Sequence, residues 1–263
     1  MALGALVGAG CAGADAHSTA QPPAASAAQN ELGMQAGETM AFDVELAGLP
    51  VGEAQLAVGE IGIVDGRRAI VVKSRAETVG AAALLRKIVD EATTVVDVET
   101  GRPISVEMNA QIGDKHTNAT AKFSATNVAV TFTRDGKVNA STFKLDPKTP
   151  LHDAHTAMAQ LRGWKAAPGT VRTVYVIGGR RLLRVDVKYI GEETIGSALG
   201  NRRAVIYEGV SFRAKRDLTP ESNKPGRAFR VWLSDDGDRV PLKLTAKTEL
   251  GDVVMTLTDY ARP

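Results

Sequence analysis

Cysteine occurs once in the 263 residues and histidine four times, and neither sign of charge predominates: thirty-two Lys and Arg against thirty Asp and Glu leave a net charge of +2. Each shortage removes a class of function. A near-neutral chain has no electrostatic footprint for nucleic acid or for coating an acidic membrane wholesale. No Gly-x-Ser-x-Gly elbow is present, the one thiol lies at the extreme N-terminus, and no histidine stands in a recognisable triad order with a carboxylate, so no catalytic residue is assigned and an enzyme is not expected. The glycine-rich basic stretches Gly178-Gly179-Arg180-Arg181 and Gly200-Asn201-Arg202-Arg203 do not lead from a strand into a helix, as a phosphate cradle requires, and read as hairpin turns. After the first residues, no segment approaches the ~18 continuous apolar residues of a spanning helix.

What is present is alternation. With 44% hydrophobic residues the chain can bury a substantial core. The clearest stretch runs from Ala228 to Tyr260. There Phe229, Val231 and Leu233 alternate with Arg230, Trp232 and Ser234, and Val240, Leu242, Leu244 and Ala246 alternate with Arg239, Pro241, Lys243 and Thr245. That is the period of half-buried strands. Asp235-Asp236-Gly237-Asp238 supplies the turn between them, with Gly237 expected at positive φ, and Val253, Met255 and Leu257 follow on a closing strand. Similar runs separated by Asp-Gly, Gly-Gly and Pro-Gly recur from Gly37 onward. They predict about twelve strands in an antiparallel sheet curled into a barrel or half-barrel, an all-β class with two short helices. The helices are placed at Val79 to Val89 and at Leu151 to Arg162, the second with Thr149 as N-cap and Pro150 in the first turn.

The N-terminus differs in kind. MALGALVGAGC is apolar, places small residues before Cys11, and resembles a bacterial lipoprotein signal peptide in which Cys11 becomes the lipidated first residue. It departs from that pattern in having no Lys or Arg ahead of the apolar run and Gly8 where leucine is usual. Residues 12–36, rich in Ala, Ser, Pro and Gln, read as a disordered tether with a reach of roughly 25–30 Å, and residues 37–263 as a single β-rich domain.

From Gly37 on, the order of features resembles a bacterial envelope family known only as a domain of unknown function, number 3108. The residues that carry the resemblance are Gly37-Glu38, Val51-Gly52, Leu161-Arg162, Pro168-Gly169, Val231 to Asp236, and Arg239-Val240-Pro241. It implies an exported β-rich domain, shaped like the half-barrels of lipoprotein carriers, and no catalytic residue.

His152 and His155 share a predicted helix face with Asp153 between them, but two ligands fall short of a zinc site, and neither a metal nor another cofactor is expected. Asp235, Asp236 and Asp238 lack the spacing of a calcium loop. The expected function is that of a non-enzymatic envelope lipoprotein on the periplasmic side, anchored through Cys11, with the outer membrane as the expected address. Its curved sheet would hold a lipid or other apolar ligand against Phe229, Val231, Leu233, Leu242, Leu244 and Met255. The alternatives are an assembly module that binds another envelope protein and, third, an uncharacterised enzyme. Nucleic acid is not an expected partner.

Overall fold

A computed structural model describes residues 32–145, 149–222 and 224–262. Cys11 and most of the expected tether lie outside the described residues. In chain order the elements are β1 (Thr39–Leu46), β2 (Leu49–Val58), β3 (Gly62–Val64), β4 (Arg67–Thr78), α1 (Gly80–Leu85), β5 (Ile88–Asp97), β6 (Pro103–Ile112), β7 (Lys115–Phe123), β8 (Asn127–Arg134) and β9 (Lys137–Lys144). There follow β10 (Leu151–His152), α2 (Ala154–Gly163), β11 (Val171–Gly178), β12 (Arg181–Ser197), β13 (Gly200–Ala214), β14 (Arg227–Ser234), β15 (Pro241–Thr248) and β16 (Gly251–Ala261). The class is mostly β with two helices, as the alternation predicts. The described strands number sixteen where about twelve are expected; β3 and β10 have three and two residues, too few for alternation to show.

All sixteen strands belong to one sheet, with the path β10-β11-β12-β13-β14-β15-β16-β1-β2-β4-β5-β6-β7-β8-β9 and β3 paired to β4. Every pairing is antiparallel except β10 with β11. The first strand, β1, sits mid-sheet between β16 and β2, so the first and last described strands are zipped together. Chain connectivity forces the sheet to roll. Lys144 and Leu151 belong to strands at opposite edges, yet the segment joining them reaches at most about 25 Å, whereas a flat sheet of this many strands would separate its edges by roughly 65 Å. The edges meet through side chains: Val106, Ala121, Val128 and Val130 from β6–β8 pack with Leu151, Ile177, Leu182 and Ala214. The result is a barrel-like roll closed by packing and left open in its hydrogen bonds.

Three expectations need correction. Gly237 does not adopt positive φ; in the β14–β15 connection that conformation falls on Arg239, at φ 51°. Asp236 Oδ1 builds the turn instead, accepting from Ser234 Oγ at 2.7 Å, from Asp238 N at 3.0 Å and from Arg239 N at 3.1 Å. Second, the alternation of β15 is broken by a bulge: Trp232 pairs with Lys243 but Leu233 pairs with Pro241, so Leu242 is an extra residue. Third, residues ahead of Gly37 already belong to the core, because Met34 is buried against Val58, Ile70 and Ala159.

Candidate functional site

Helix α2 lies in the concave side of the roll, touching both halves of the sheet. Ala159 packs with Val58, Val72 and Val96, while Met158, Leu161 and Trp164 pack toward Val187, Tyr207 and Val231. Thr149 and Pro150 do not start it, since Leu151 and His152 first pair with Tyr175 and Val176 of β11. The helix starts where a capping box becomes possible. Asp153 Oδ1 accepts from Thr156 N (3.1 Å) and Thr156 Oγ1 (2.6 Å), and Asp153 N donates to Thr156 Oγ1 (3.1 Å). The other expected helix covers nothing: α1 spans six residues and buries none.

Two polar clusters pin α2 to the sheet. In the first, Thr94 Oγ1 donates its single proton to Asp153 Oδ2 at 2.6 Å, so the 2.8 Å contact between Thr94 Oγ1 and His155 Nδ1 must be donated by the imidazole. Nε2 of His155 is then bare and accepts from Ser74 Oγ at 2.8 Å. Asp153, Thr94, His155 and Ser74 thus form a directed chain. Burial holds the His155 pKa below its ordinary value and pushes that of His152 down to about 4, which keeps both rings neutral. The chain has the order of a nucleophile and its base, but Ser74 sits in mid-strand between β2 and β5, so β4 commits its own N–H groups to the ladder and supplies none to an oxyanion. The two histidines do not converge: His152 Nδ1 meets Thr156 Oγ1 at 3.2 Å, away from the His155 contacts. Among the described residues no group of three or more His, Cys, Asp or Glu is placed to hold a metal ion.

In the second cluster Arg162, on the last turn of α2, donates to Glu38 through Nη1 (2.6 Å) and Nη2 (2.9 Å). It also donates to the Arg239 carbonyl through Nε (3.1 Å) and to the Asp238 carbonyl through Nη2 (2.9 Å). Glu38 is fully buried and further accepts from Gln35 N at 3.1 Å. Sequence reasoning singled out Gly37-Glu38, Leu161-Arg162 and Arg239-Val240-Pro241 separately and missed that they meet. The available signal was the recurrence of charged residues within otherwise apolar motifs.

Apolar clefts remain on both flanks of α2. One, of about 150 Å3, lies between Met158, Leu161 and Trp164 on the helix side and Val185, Val187, Phe229, Val231 and Leu244 on the sheet. The other, of about 240 Å3, is lined by Met40, Phe42, Leu56, Val72, Met158, Leu244 and Met255, with Ser74, His155 and Arg162 at its polar margin. Met158 and Leu244 line both. Of the six expected ligand-contacting residues, Phe229, Val231 and Leu244 line the first cleft, and Leu244 and Met255 the second. Leu233 and Leu242 line neither and are fully buried, Leu242 because the bulge turns it into the cluster of Trp232, Val240 and Leu257. Larger depressions of about 630 and 600 Å3 lie open on strand faces, the first among Lys73, Arg75 and Glu91 and the second over Phe229 and Trp232 with Lys188, Arg230 and Lys247 around them.

Comparison with known proteins places this geometry. The family described as "Protein of unknown function (DUF3108)" matches residues 41–258. No curated protein matches the chain. The crystal structure of a beta-barrel-like protein of domain of unknown function DUF1849 from Brucella abortus is similar over 86% of this chain and 97% of that one, at 11% identity and a TM-score of 0.57, which is a likeness of fold. A "putative exported protein with YmcC-like fold" from Bacteroides fragilis shares 8% identity, covering 87% of this chain and 97% of that one at a TM-score of 0.41. A "putative lipoprotein" from Parabacteroides distasonis shares 6%, covering 86% and 96% at a TM-score of 0.35.

Proposed function

The chain belongs to the DUF3108 family, and from that premise we propose that it is a non-enzymatic envelope lipoprotein whose rolled sheet holds an apolar chain beside α2. The observation that carries this reading is the pair of clefts sharing Met158 and Leu244 as a common wall. At about 150 and 240 Å3 each is smaller than the roughly 300 Å3 at which ligand pockets begin, so neither alone takes a large ligand. An unbranched methionine is the side chain most easily moved aside. With Met158 rotated, the two clefts join into a bent apolar slot that suits an acyl chain better than a rigid ring. The non-enzymatic reading is supported by Ser74 lying within a fully paired strand. The lipid anchor at Cys11 and a periplasmic address at the outer membrane rest on the N-terminal sequence.

The test is a titration of the full chain carrying Cys11→Ala with an environment-sensitive fluorescent fatty acid. Saturable binding is expected, with loss in Leu244→Trp and unchanged far-ultraviolet circular dichroism. Absence of saturable binding in the folded protein would overturn the reading. A second reading, an assembly module, is favoured by one observation: β9 ends the sheet with one side unpaired and mostly exposed residues, open to strand addition. Backbone crosslinks from β9 to one envelope protein would favour it.

A further inference from the structure

One rim of the roll carries large apolar side chains with nothing packed on them. Leu49 is 67% exposed, Leu84 91%, Leu85 89% and Leu250 76%. The strand register puts them at the same end. Leu46 and Leu49 close the β1–β2 hairpin, Thr248 and Gly251 close β15–β16, and Ala47 N donates to the Asp252 carbonyl between the two tips. Helix α1 joins that end of β4 to β5, with Val79 N donating to the Val51 carbonyl. Ile112 and Val138, also exposed, stand on the next two turns of the same rim.

Helix α1 is the informative part. A six-residue helix is too short to be stable by itself, and helices of this size persist through packing. This one buries no residue and turns both leucines to water, although a two-residue hairpin would have joined the same antiparallel strands. Its leucines are followed by Arg86 and Lys87, both exposed. The apolar residues stand on separate protruding turns with charges between them. A protein partner needs a contiguous complementary patch, whereas separate protrusions can each enter fluid hydrocarbon while neighbouring basic groups meet phosphate.

We propose that this rim docks on a lipid bilayer, with Leu84 and Leu85 of α1 entering the acyl region, Leu49 and Leu250 beside them, and Arg86 and Lys87 on anionic headgroups. The surface is separate from the clefts, although Phe229 of the first cleft lies two residues from the end of β14 nearest this rim. The first described residues lie elsewhere: Leu32 and Met34 pack with Val58, Ile70 and Val96, at the opposite end of β2, β4 and β5.

The test is flotation of the full chain carrying Cys11→Ala with vesicles of phosphatidylethanolamine and phosphatidylglycerol, and with phosphatidylcholine vesicles. Each leucine that enters hydrocarbon contributes roughly tenfold to partitioning, so Leu84→Asp with Leu85→Asp should weaken binding about a hundredfold or more. Arg86→Gln with Lys87→Gln should weaken it by roughly tenfold or more on the anionic vesicles alone. Ile63→Asp, at a residue about as exposed as Leu49 but at the opposite end, should leave it unchanged. As an independent readout, Leu84→Trp should shift its emission to the blue on adding vesicles. No flotation of the parent protein, equal flotation of the double aspartate variant, or an equal loss in Ile63→Asp would each overturn the proposal. Fatty-acid binding should survive in the double aspartate variant, which separates this outcome from failure of the cleft reading.

Discussion

At the scale of single residues, the buried polar groups around α2 are committed to named partners, and their protonation follows. His152 is buried; burial lowers its pKa from 6.5 to about 4, Asp153 opposes that shift, and Arg102 and Arg172 add to it. The folded protein keeps this ring neutral, while the unfolded chain takes up a proton as the pH falls below 6.5. The stabilising contribution is therefore whole above pH 6.5 and declines toward pH 4, by roughly 3 kcal/mol if the full gap is realised. His155 is lowered by burial as well and should act in the same direction. Urea midpoints measured from pH 7.5 to 4.5 should fall, and His152→Gln should flatten part of that fall. Equal slopes in both proteins would show that His152 does not couple folding to protons. None of this was legible in the sequence, where the two histidines read as one helix face; His152 belongs instead to the two-residue strand β10 and only His155 to α2, and the pairing of β10 with β11 is a long-range event.

At the scale of elements, α2 is held by its C-terminal turn as much as by its apolar side. Arg162 joins the helix to Glu38 ahead of β1 and to the carbonyls of the β14–β15 turn, three places far apart in the chain. Removing one member of a buried ion pair leaves the other charge unpaired and costs about 3–5 kcal/mol, while replacing both by apolar groups of similar volume costs far less. Arg162→Met should therefore destabilise by that amount, and the double variant with Glu38→Leu should lose much less than the sum of the single losses. Additive losses in denaturant unfolding would mean that the two groups do not depend on each other. The same contact accounts for Arg239: its carbonyl must face Arg162, and it takes the left-handed backbone that composition assigned to Gly237. Alternation located most strands, but it carries no information about a bulge, so Leu242 was read onto the wrong cluster.

At the scale of the whole molecule, the position of β1 between β16 and β2 has a kinetic and a structural consequence. Pairing the first strand with the last requires closing nearly the whole chain, and contacts of such sequence separation form slowly. The sheet cannot be divided at that seam without exposing two edges. Deleting residues 251–263 should expose the paired sides of β1 and β15 together with Met40 and Leu242, which pack on Leu257, giving an aggregated, protease-sensitive product in gel filtration and limited proteolysis. A soluble, resistant fragment would show that the two halves fold without each other.

What the sequence determined by itself is what depends on near neighbours. Period-two patterning and Asp-Gly turns define strands locally, and about twelve such strands with two short helices already point to a curled antiparallel sheet. Tertiary structure alone decided the rest. The short link between β9 and β10 sets how tightly the sheet rolls. That roll carries α2 into the concavity, reduces the expected single cavity to two clefts, and brings Glu38, Arg162 and the Arg239 turn together. It also leaves α1, read from its period as a helix over Val79 to Val89, projecting from the rim as six residues with both leucines in water. The physical reason is the same in each case: burial belongs to a residue's surroundings after folding, and those surroundings come from parts of the chain that local pattern cannot see.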